Sequence, residues 1–191
     1  MARFVLADAS PIIGLSRVGG GLALLERLFG EVHITRQVRR DVLPGTGKPG
    51  ELEISQALDS GILRVLNRDW PEPQFPWLHD GEASTLRAAI NLHRPCLVLI
   101  DEREARNTLR SLSSDTIGVS GTIAVVGAAK QRGLIPSARA VFEELQRKNF
   151  YVSRALIAGI LESTGEAKIS PVAASKSSTG PQRATKRRRR K

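Results

Sequence analysis

Five short apolar runs, separated by longer segments with helical periodicity, constrain the fold of this chain more than any other feature. The runs read RFVLA, EVHIT, ILRVL, CLVLI and DTIGV. The intervening segments place apolar residues on one stripe, as in GLALLERLF, where Leu22, Leu25 and Leu28 share a helix face. Strands joined by helical crossovers pair in parallel. The pattern therefore predicts an α/β protein with a small parallel sheet between two helical layers.

The distribution of charge divides the chain into two parts. Nine of the 29 Lys and Arg residues follow Glu166 and no acidic residue does, whereas the preceding part holds 20 basic and 19 acidic residues. The end of the chain is rich in Ser, Pro and Lys and lacks apolar periodicity, which is typical of disorder. We predict one folded domain over residues 1–166 and a disordered basic tail over residues 167–191. The tail either binds polyanions such as RNA nonspecifically or is only a solubilising extension.

The composition excludes several classes of protein. A single cysteine, Cys96, rules out an internal disulfide and a cysteine-based zinc site. The N-terminus has no basic segment followed by a long apolar stretch, as a signal peptide would, and no apolar run is long enough to span a bilayer. We therefore expect a cytoplasmic protein with no membrane partner.

Four acidic residues lie where the predicted topology can bring them to one edge of the sheet. Asp8 directly follows the first apolar run, and Asp101 directly follows CLVLI. Ligands of open parallel sheets bind beyond the carboxyl ends of the strands. Glu82 lies in the first turn of the helix that begins at Asp80, and Asp41 lies on the short helix after the second run.

Each of these acids also has a purely structural interpretation. Asp8 and Asp101 can be N-caps of the helices that follow them. Glu82 can stabilise a helix N-terminus through its charge, and Asp41 can be a solvated residue paired with a neighbouring arginine. Two aspartates at strand ends of one sheet nevertheless favour a common site over four unrelated structural roles.

The chemistry of such a cluster is specific. Carboxylates brought within a few ångströms of one another repel, and a divalent cation removes that conflict. Mg²⁺ prefers oxygen ligands and is usually held by one or two carboxylates, several waters and a substrate phosphate. An acidic site without His or Cys ligands therefore fits phosphodiester hydrolysis better than zinc chemistry.

Several segments of the chain resemble PIN-domain proteins. They read FVLADASPIIGL, VRRDVL, HDGEASTLRAA, LVLIDEREAR and SGTIAVVGAAKQRGLIP. Their order and spacing make the resemblance specific, and it covers the chain from about Arg3 to Gly165. The resemblance is strongest to a PIN-like branch that is related to VapC-type toxins.

This resemblance implies a small parallel sheet sandwiched by helices, and cleavage of RNA that depends on Mg²⁺ or Mn²⁺. By position, Asp8, Glu82 and Asp101 match acidic residues of the family and are predicted as metal ligands. Asp41 falls where the family usually has Glu, and it completes a predicted catalytic set of four. The resemblance also implies possible partners, namely RNA, an antitoxin protein if the chain is the toxin of a toxin–antitoxin pair, and a second copy in a homodimer.

Two departures from the family pattern keep a second interpretation open. Asp in place of Glu at position 41 shortens the reach of the carboxylate by one methylene. The segment SGT at 120–122 supplies hydroxyls where some nucleases of the wider family have an acid. The alternative is a catalytically weak or inactive module that binds RNA or protein.

Overall fold

A computed structural model of the protein describes residues 4–112, 116–151 and 153–166, and the predicted basic tail lies outside these residues. Strands and helices alternate along the described chain. In order they are β1 (Phe4–Ala7), α1 (Ala9–Ser16), α2 (Gly21–Phe29), β2 (Val32–Ile34), α3 (Arg36–Val42), α4 (Glu51–Asp59), β3 (Leu63–Val65), α5 (Asp80–Asn91), β4 (Cys96–Leu99), α6 (Arg103–Leu112), β5 (Ile117–Ser120), α7 (Thr122–Gln131), α8 (Ala138–Arg147) and α9 (Arg154–Ser163).

The strands form one parallel sheet in the order β3-β2-β1-β4-β5. From β1 the chain moves outward through β2 to β3, and it then returns to the other side of β1 to add β4 and β5. The direction of winding therefore changes between β1 and β4, where Ala7 pairs with Leu99. In sheets of this kind the crevice at the carboxyl ends of such a strand pair is the usual ligand site.

Alternate residues of each strand enter opposite helical layers. On β1, Val5 and Ala7 pack on one face with helices that include α1, α2 and α7, whereas Leu6 packs on the other face. That second face is covered by α5 and α6, through residues such as Leu86 and Leu109. The period of two along β1 thus fills two cores. The predicted three-layer α/β/α fold is confirmed.

The helices of the described chain are too short to cross a membrane. The longest, α5, has 12 residues, whereas a transmembrane helix needs about 20 apolar residues. Among the described residues, none has the length and hydropathy of a transmembrane span. The location in the cytoplasm stays a prediction.

Glu166 holds the start of α8 although it lies far along the chain from that helix. Its carboxylate accepts hydrogen bonds from the amides of Ala138 (2.6 Å) and Arg139 (3.0 Å) and from the Ser137 hydroxyl (2.8 Å). Burial alone would raise the pKa of Glu166, but these donors and the Lys130 ammonium group outweigh it and lower the pKa to about 2. The carboxylate therefore caps the N-terminus of α8 and ties it to the end of the described chain.

We expect Glu166→Gln to lower the free energy of unfolding by about 1–2 kcal/mol at neutral pH, because it removes the charge that these donors share. The pKa of Glu166 is lower in the folded state than its ordinary value of 4.5. The contribution is therefore complete above that value and is lost as the pH falls towards 2. Urea unfolding across this pH range measures it, with the exposed Glu162→Gln on α9 as control. This role would be contradicted if both variants lost the same free energy of unfolding, or if the loss in Glu166→Gln did not decrease at acidic pH.

Candidate active site

Asp8 is a buried carboxylate at the carboxyl end of β1. Only 2% of its surface is exposed, and Oδ1 has no hydrogen-bond partner among the described residues. Its backbone amide donates to the Leu99 carbonyl at 2.9 Å, which holds Asp8 beside the end of β4. Asp8 occupies the N-cap position of α1, but its side chain makes no capping hydrogen bond. The amides of Ala9 and Ser10 at the start of α1 favour the charge of Asp8, but a capping role leaves its Oδ1 without a partner.

The environment of Asp8 disfavours the ionised carboxylate. Burial is the largest effect, and the negative charges of Glu82 and Asp101 add to it, while the amides of Ala9 and Ser10 act in the opposite direction. Together they raise the pKa of Asp8 from 3.8 to about 6. A buried carboxylate with an unpaired oxygen and acidic neighbours is the arrangement that a bound cation would relieve.

Gly81 leaves a gap between Asp8 and Asp41. A Cβ atom on Gly81 would lie 3.4 Å from Asp8 Oδ1 and 2.6 Å from Asp41 Oδ2, so the two carboxylates approach the same point from different elements. Asp41 comes from α3, and its other oxygen accepts a hydrogen bond of 2.9 Å from Gln37 Nε2. The predicted pairing of Asp41 with a neighbouring arginine is not observed. We call the gap at Gly81, between Asp8 and Asp41, the acidic cradle.

A chain of hydroxyl groups aligns the starts of α3 and α5 and so sets the width of the cradle. Thr35 Oγ1 accepts from the Val38 amide (3.1 Å), and it lies 2.7 Å from Ser84 Oγ. Ser84 Oγ donates to the Gly81 carbonyl at 2.7 Å. Since that bond uses the Ser84 proton, the Thr35 hydroxyl donates to Ser84. The backbone at Gly81 is thereby tied to the helix that carries Asp41.

Glu82 lies in the first turn of α5 and is 8% exposed. Its Oε2 accepts a hydrogen bond from the His79 amide at 3.2 Å. Glu82 therefore does stabilise the start of α5, as its structural interpretation states, but this bond does not exclude a further role in the site. Burial raises the pKa of Glu82, and the negative charges of Glu102 and Glu104 contribute to the rise, whereas His79 opposes it. Because Glu82 also raises the pKa of Asp8, the two carboxylates belong to one electrostatic cluster.

Asp101 is bound to the start of α7 and not to the helix that directly follows it in sequence. Its Oδ1 accepts from the Thr122 amide (2.8 Å) and its Oδ2 from the Thr122 hydroxyl (2.6 Å). Capping of α6, the structural interpretation of the sequence, is therefore wrong. Burial raises the pKa of Asp101, although the Thr122 donors and the positive charge of Arg106 counteract it. Each oxygen keeps a lone pair with which it can still bind a cation.

The structure adds residues to which the sequence pattern assigned no role. The charges of Glu102 and Glu104 contribute to the raised pKa of Glu82, and the charge of Arg106 opposes the rise in the pKa of Asp101. Their signal was present in the segment DEREAR, which directly follows the CLVLI strand. The sequence also contained a signal for Gly81. Glycine within a helix is destabilising relative to alanine, so its presence there indicates a local constraint such as a close contact.

All four predicted acids lie at the carboxyl edge of the sheet. Asp8 and Asp41 meet at the cradle, and Glu82 and Asp101 act on Asp8 through their charges. Within residues 4–112, 116–151 and 153–166, however, no three His, Cys, Asp or Glu side chains are close enough to enclose a metal ion. The acids form an open cluster, and the metal-binding and catalytic roles of the individual residues stay predictions.

Comparisons with known proteins agree with this description of the fold. Residues 4–166 match the DUF3368 family model, whose description is PIN domain. Searches of curated proteins and of solved structures gave no match. The family match spans every described strand and helix, and it names the PIN domain without naming a branch, so the relation to VapC-type toxins stays a prediction. The chain belongs to the PIN-domain family.

Proposed function

We propose that this protein is a ribonuclease that hydrolyses RNA phosphodiester bonds with the help of Mg²⁺ or Mn²⁺. PIN domains are generally nucleases, and the reaction proposed here is the finer assignment. One observation carries it. Asp8 is buried with an unpartnered oxygen 3.4 Å from the vacant Cβ position of Gly81, and other acids surround it.

The donor set fits a hard divalent cation. Mg²⁺ needs only one or two carboxylates from the protein and completes its shell with water and substrate oxygens. In our proposal Asp8, Asp101 and Glu82 surround the cation and contact it directly or through its bound water. The open form of the cluster, with no set of three acids that encloses an ion among the described residues, suits a site in which substrate phosphate supplies ligands.

The chain's own residues have separate tasks in this proposal. When bound, the cation supplies positive charge that stabilises an attacked phosphodiester and makes water more acidic. Asp41 faces the cradle with Oδ2 while Gln37 holds its Oδ1, so it is suited to orient the attacking water and accept its proton. Arg106 lines a pocket together with Asp101 and its charge opposes the rise in the pKa of that carboxyl, so it can contact a substrate phosphate.

A toxin role is a narrower form of the same proposal. The resemblance of the sequence to the VapC-related branch supports it, and it implies an antitoxin segment that covers the acidic cradle and a homodimer of the toxin. A binding assay with the product of an adjacent gene for a small DNA-binding protein would test the antitoxin partner.

A non-catalytic module that binds RNA or protein is the second candidate, and one observation favours it. Both oxygens of Asp101 are already hydrogen-bonded by Thr122, which accounts for the residue without a metal. In that case RNA binding would persist in EDTA, and it would fall steeply with salt if the basic tail carries it.

Cleavage of RNA by the purified full-length protein tests the proposal. With Mg²⁺ or Mn²⁺ we expect cleavage by the wild type that EDTA abolishes. Asp8→Asn and Asp101→Asn should each reduce the rate at least about 100-fold, because each removes a charge that holds the cation. Asp59→Asn, a change at an exposed residue of α4, is the matched control. No cleavage by the wild type, or equal cleavage by all variants, would exclude the nuclease and leave the binding module.

A further inference from the structure

A polar pocket of about 260 Å³ lies beside the acidic cradle. It is formed by the end of β2, the loop that follows β3, one side of α3 and one side of α5. The residues that line it are Thr35, Gln37, Arg40, Asp69, Trp70, Asp80, Ser84 and Arg87. Its volume is slightly below the usual range for sites of drug-sized ligands, which begins at about 300 Å³. The pocket therefore has room for one small planar group.

The pocket and the acidic cradle share their boundary. Gln37 lines the pocket and donates to Asp41 Oδ1, and Asp80 lines the pocket directly before Gly81 in the chain. The pocket lies beyond the carboxyl ends of β2 and β3, whereas the cradle lies beyond β1. Adjacent strands are about 4.8 Å apart. Adjoining units of one polymer can therefore reach both places.

The cations of the pocket are available for an anionic ligand. Arg87 Nε is buried and has no hydrogen-bond partner among the described residues. Arg40 is exposed at the pocket mouth, where one of its guanidinium donors bonds Gln37 Oε1 and the others remain for a ligand. Of the two acids that line the pocket, Asp69 is already paired with Arg36 at 3.1 Å, whereas Asp80 makes no ion pair among the described residues. Two arginines therefore face one unpaired acid. A guanidinium with an unused buried donor is suited to a phosphate or to the polar edge of a base.

Trp70 supplies the apolar surface of the pocket. Its ring is partly buried against the core between the sheet and α5, and the Arg68 guanidinium lies over the ring, 5.5 Å from its centroid. The part of the ring that lines the pocket is what a ligand can reach. A ring held in this way loses little freedom when a planar group stacks on it. The bases of single-stranded nucleic acids stack on such rings, and paired bases cannot do so without leaving the duplex.

We infer that this pocket holds the base of one nucleotide of a single-stranded RNA, next to the phosphodiester that the acidic cradle receives. The base stacks on Trp70, while Arg87 and Arg40 contact its polar edge and the adjoining phosphate. This inference rests on the proposed function, since it names the part of the substrate that lies beside the reacting bond. It assigns selectivity for unpaired RNA to Trp70 and Arg87.

Tryptophan fluorescence tests the inference without any cleavage, because the chain has only two tryptophans, Trp70 and Trp77. The probe is a short single-stranded oligoadenylate, titrated in EDTA into the full-length protein. Trp77→Leu leaves Trp70 as the only tryptophan, and we expect its emission to be quenched on binding. Trp70→Leu leaves the exposed Trp77, and we expect no quenching and about tenfold weaker binding.

Two further variants distinguish the loss of stacking or of charge from a loss of affinity caused by misfolding. Trp70→Phe keeps a ring and should bind the oligonucleotide nearly as well as the wild type. Arg40→Gln changes an exposed residue and should weaken binding about tenfold with no change in thermal stability. Arg147→Gln, the same change at the exposed end of α8, should leave binding nearly unchanged. Double-stranded oligonucleotide should bind more weakly than the single strand.

The outcomes distinguish this inference from the proposed function. Two results would contradict the role of the pocket but not the nuclease activity. One is RNA cleavage by the wild type with no quenching of Trp70 fluorescence, and the other is unchanged oligonucleotide affinity in Trp70→Leu and Arg40→Gln. Quenching of Trp70 fluorescence by the oligonucleotide, with no RNA cleavage in any divalent cation, would support base binding in the pocket and exclude the nuclease activity. Equal binding of single and double strands would also overturn the inference.

Discussion

Asp8→Asn is expected to make the metal-free protein more stable at neutral pH, by about 1–3 kcal/mol of unfolding free energy. The wild-type carboxylate is buried with an unpaired oxygen, and its pKa is raised to about 6. A shift of this size corresponds to about 3 kcal/mol that folding loses when the group is ionised. The buried amide of the variant is neutral and avoids that loss, although its own unpaired polar atom retains part of it.

The effect of pH on this difference has a definite sign. The pKa of Asp8 in the folded state is above its ordinary value of 3.8, so the folded state binds the proton more tightly than the unfolded state. The wild type therefore has its full stability below 3.8 and loses stability as the pH rises through 6. We expect Asp8→Asn and wild type to be equally stable well below pH 3.8, where Asp8 is protonated in both the folded and the unfolded state, and to diverge as the pH rises above 3.8.

Urea unfolding in EDTA at several pH values measures this difference. Asp59→Asn, at an exposed aspartate, should stay within about 0.5 kcal/mol of the wild type at every pH. Mg²⁺ should reduce the difference in unfolding free energy between Asp8→Asn and the wild type. A ligand that binds only the folded state stabilises it, and we expect Mg²⁺ to bind the wild type alone. If Asp8→Asn is less stable than the wild type at neutral pH, the Asp8 carboxylate has a stabilising structural partner, and its role as an unpaired cation ligand is contradicted.

Gly81→Ala is expected to reduce RNA cleavage at least about 100-fold and to leave stability unchanged or slightly higher. The new Cβ would lie 2.6 Å from Asp41 Oδ2, which must move, and 3.4 Å from Asp8 Oδ1. The methyl group therefore fills the gap between the two carboxylates, and small displacements of reacting groups have large effects on rates. Because alanine is the better helix former, the fold itself should not suffer.

Gly159→Ala is the matched control for this change. Gly159 also lies within a helix, but nothing is within 4 Å of its vacant Cβ position. It should gain similar helix stability and keep full activity. Calorimetric titration with Mn²⁺ should show weaker binding in Gly81→Ala alone. Wild-type cleavage by Gly81→Ala would mean that the reaction does not use the cradle.

The fold was more predictable from the sequence than the site was. Each apolar run and each periodic segment encodes its own local structure, and runs such as RFVLA and CLVLI need no knowledge of their neighbours to be recognised as strands. The positions of Asp8 and Asp101 at strand ends were predictable for the same reason. Their partners were not, because hydrogen bonds such as those from Thr122 to Asp101 join residues 21 positions apart.

Gly81 and Glu166 illustrate why local reasoning missed part of the structure. The space beside Gly81 exists only because Asp41 arrives from another helix, which Thr35 and Ser84 align. Glu166 caps α8 from beyond the end of α9, so its role depends on how the helices pack. Trp70 and Arg87 likewise become parts of one pocket only when the loop that follows β3 lies close to α5.

The strands, the helices, the parallel sheet and the presence of acids at the ends of strands were all predictable from the amino-acid sequence, because they follow from periodicity and chain connectivity. Three features emerged only from the folded structure: β1 and β4 are neighbours, Asp8 keeps an unpartnered oxygen although it is buried, and Asp41 faces it across Gly81. Burial and electrostatic coupling depend on distances through space, and separation along the chain does not encode those distances.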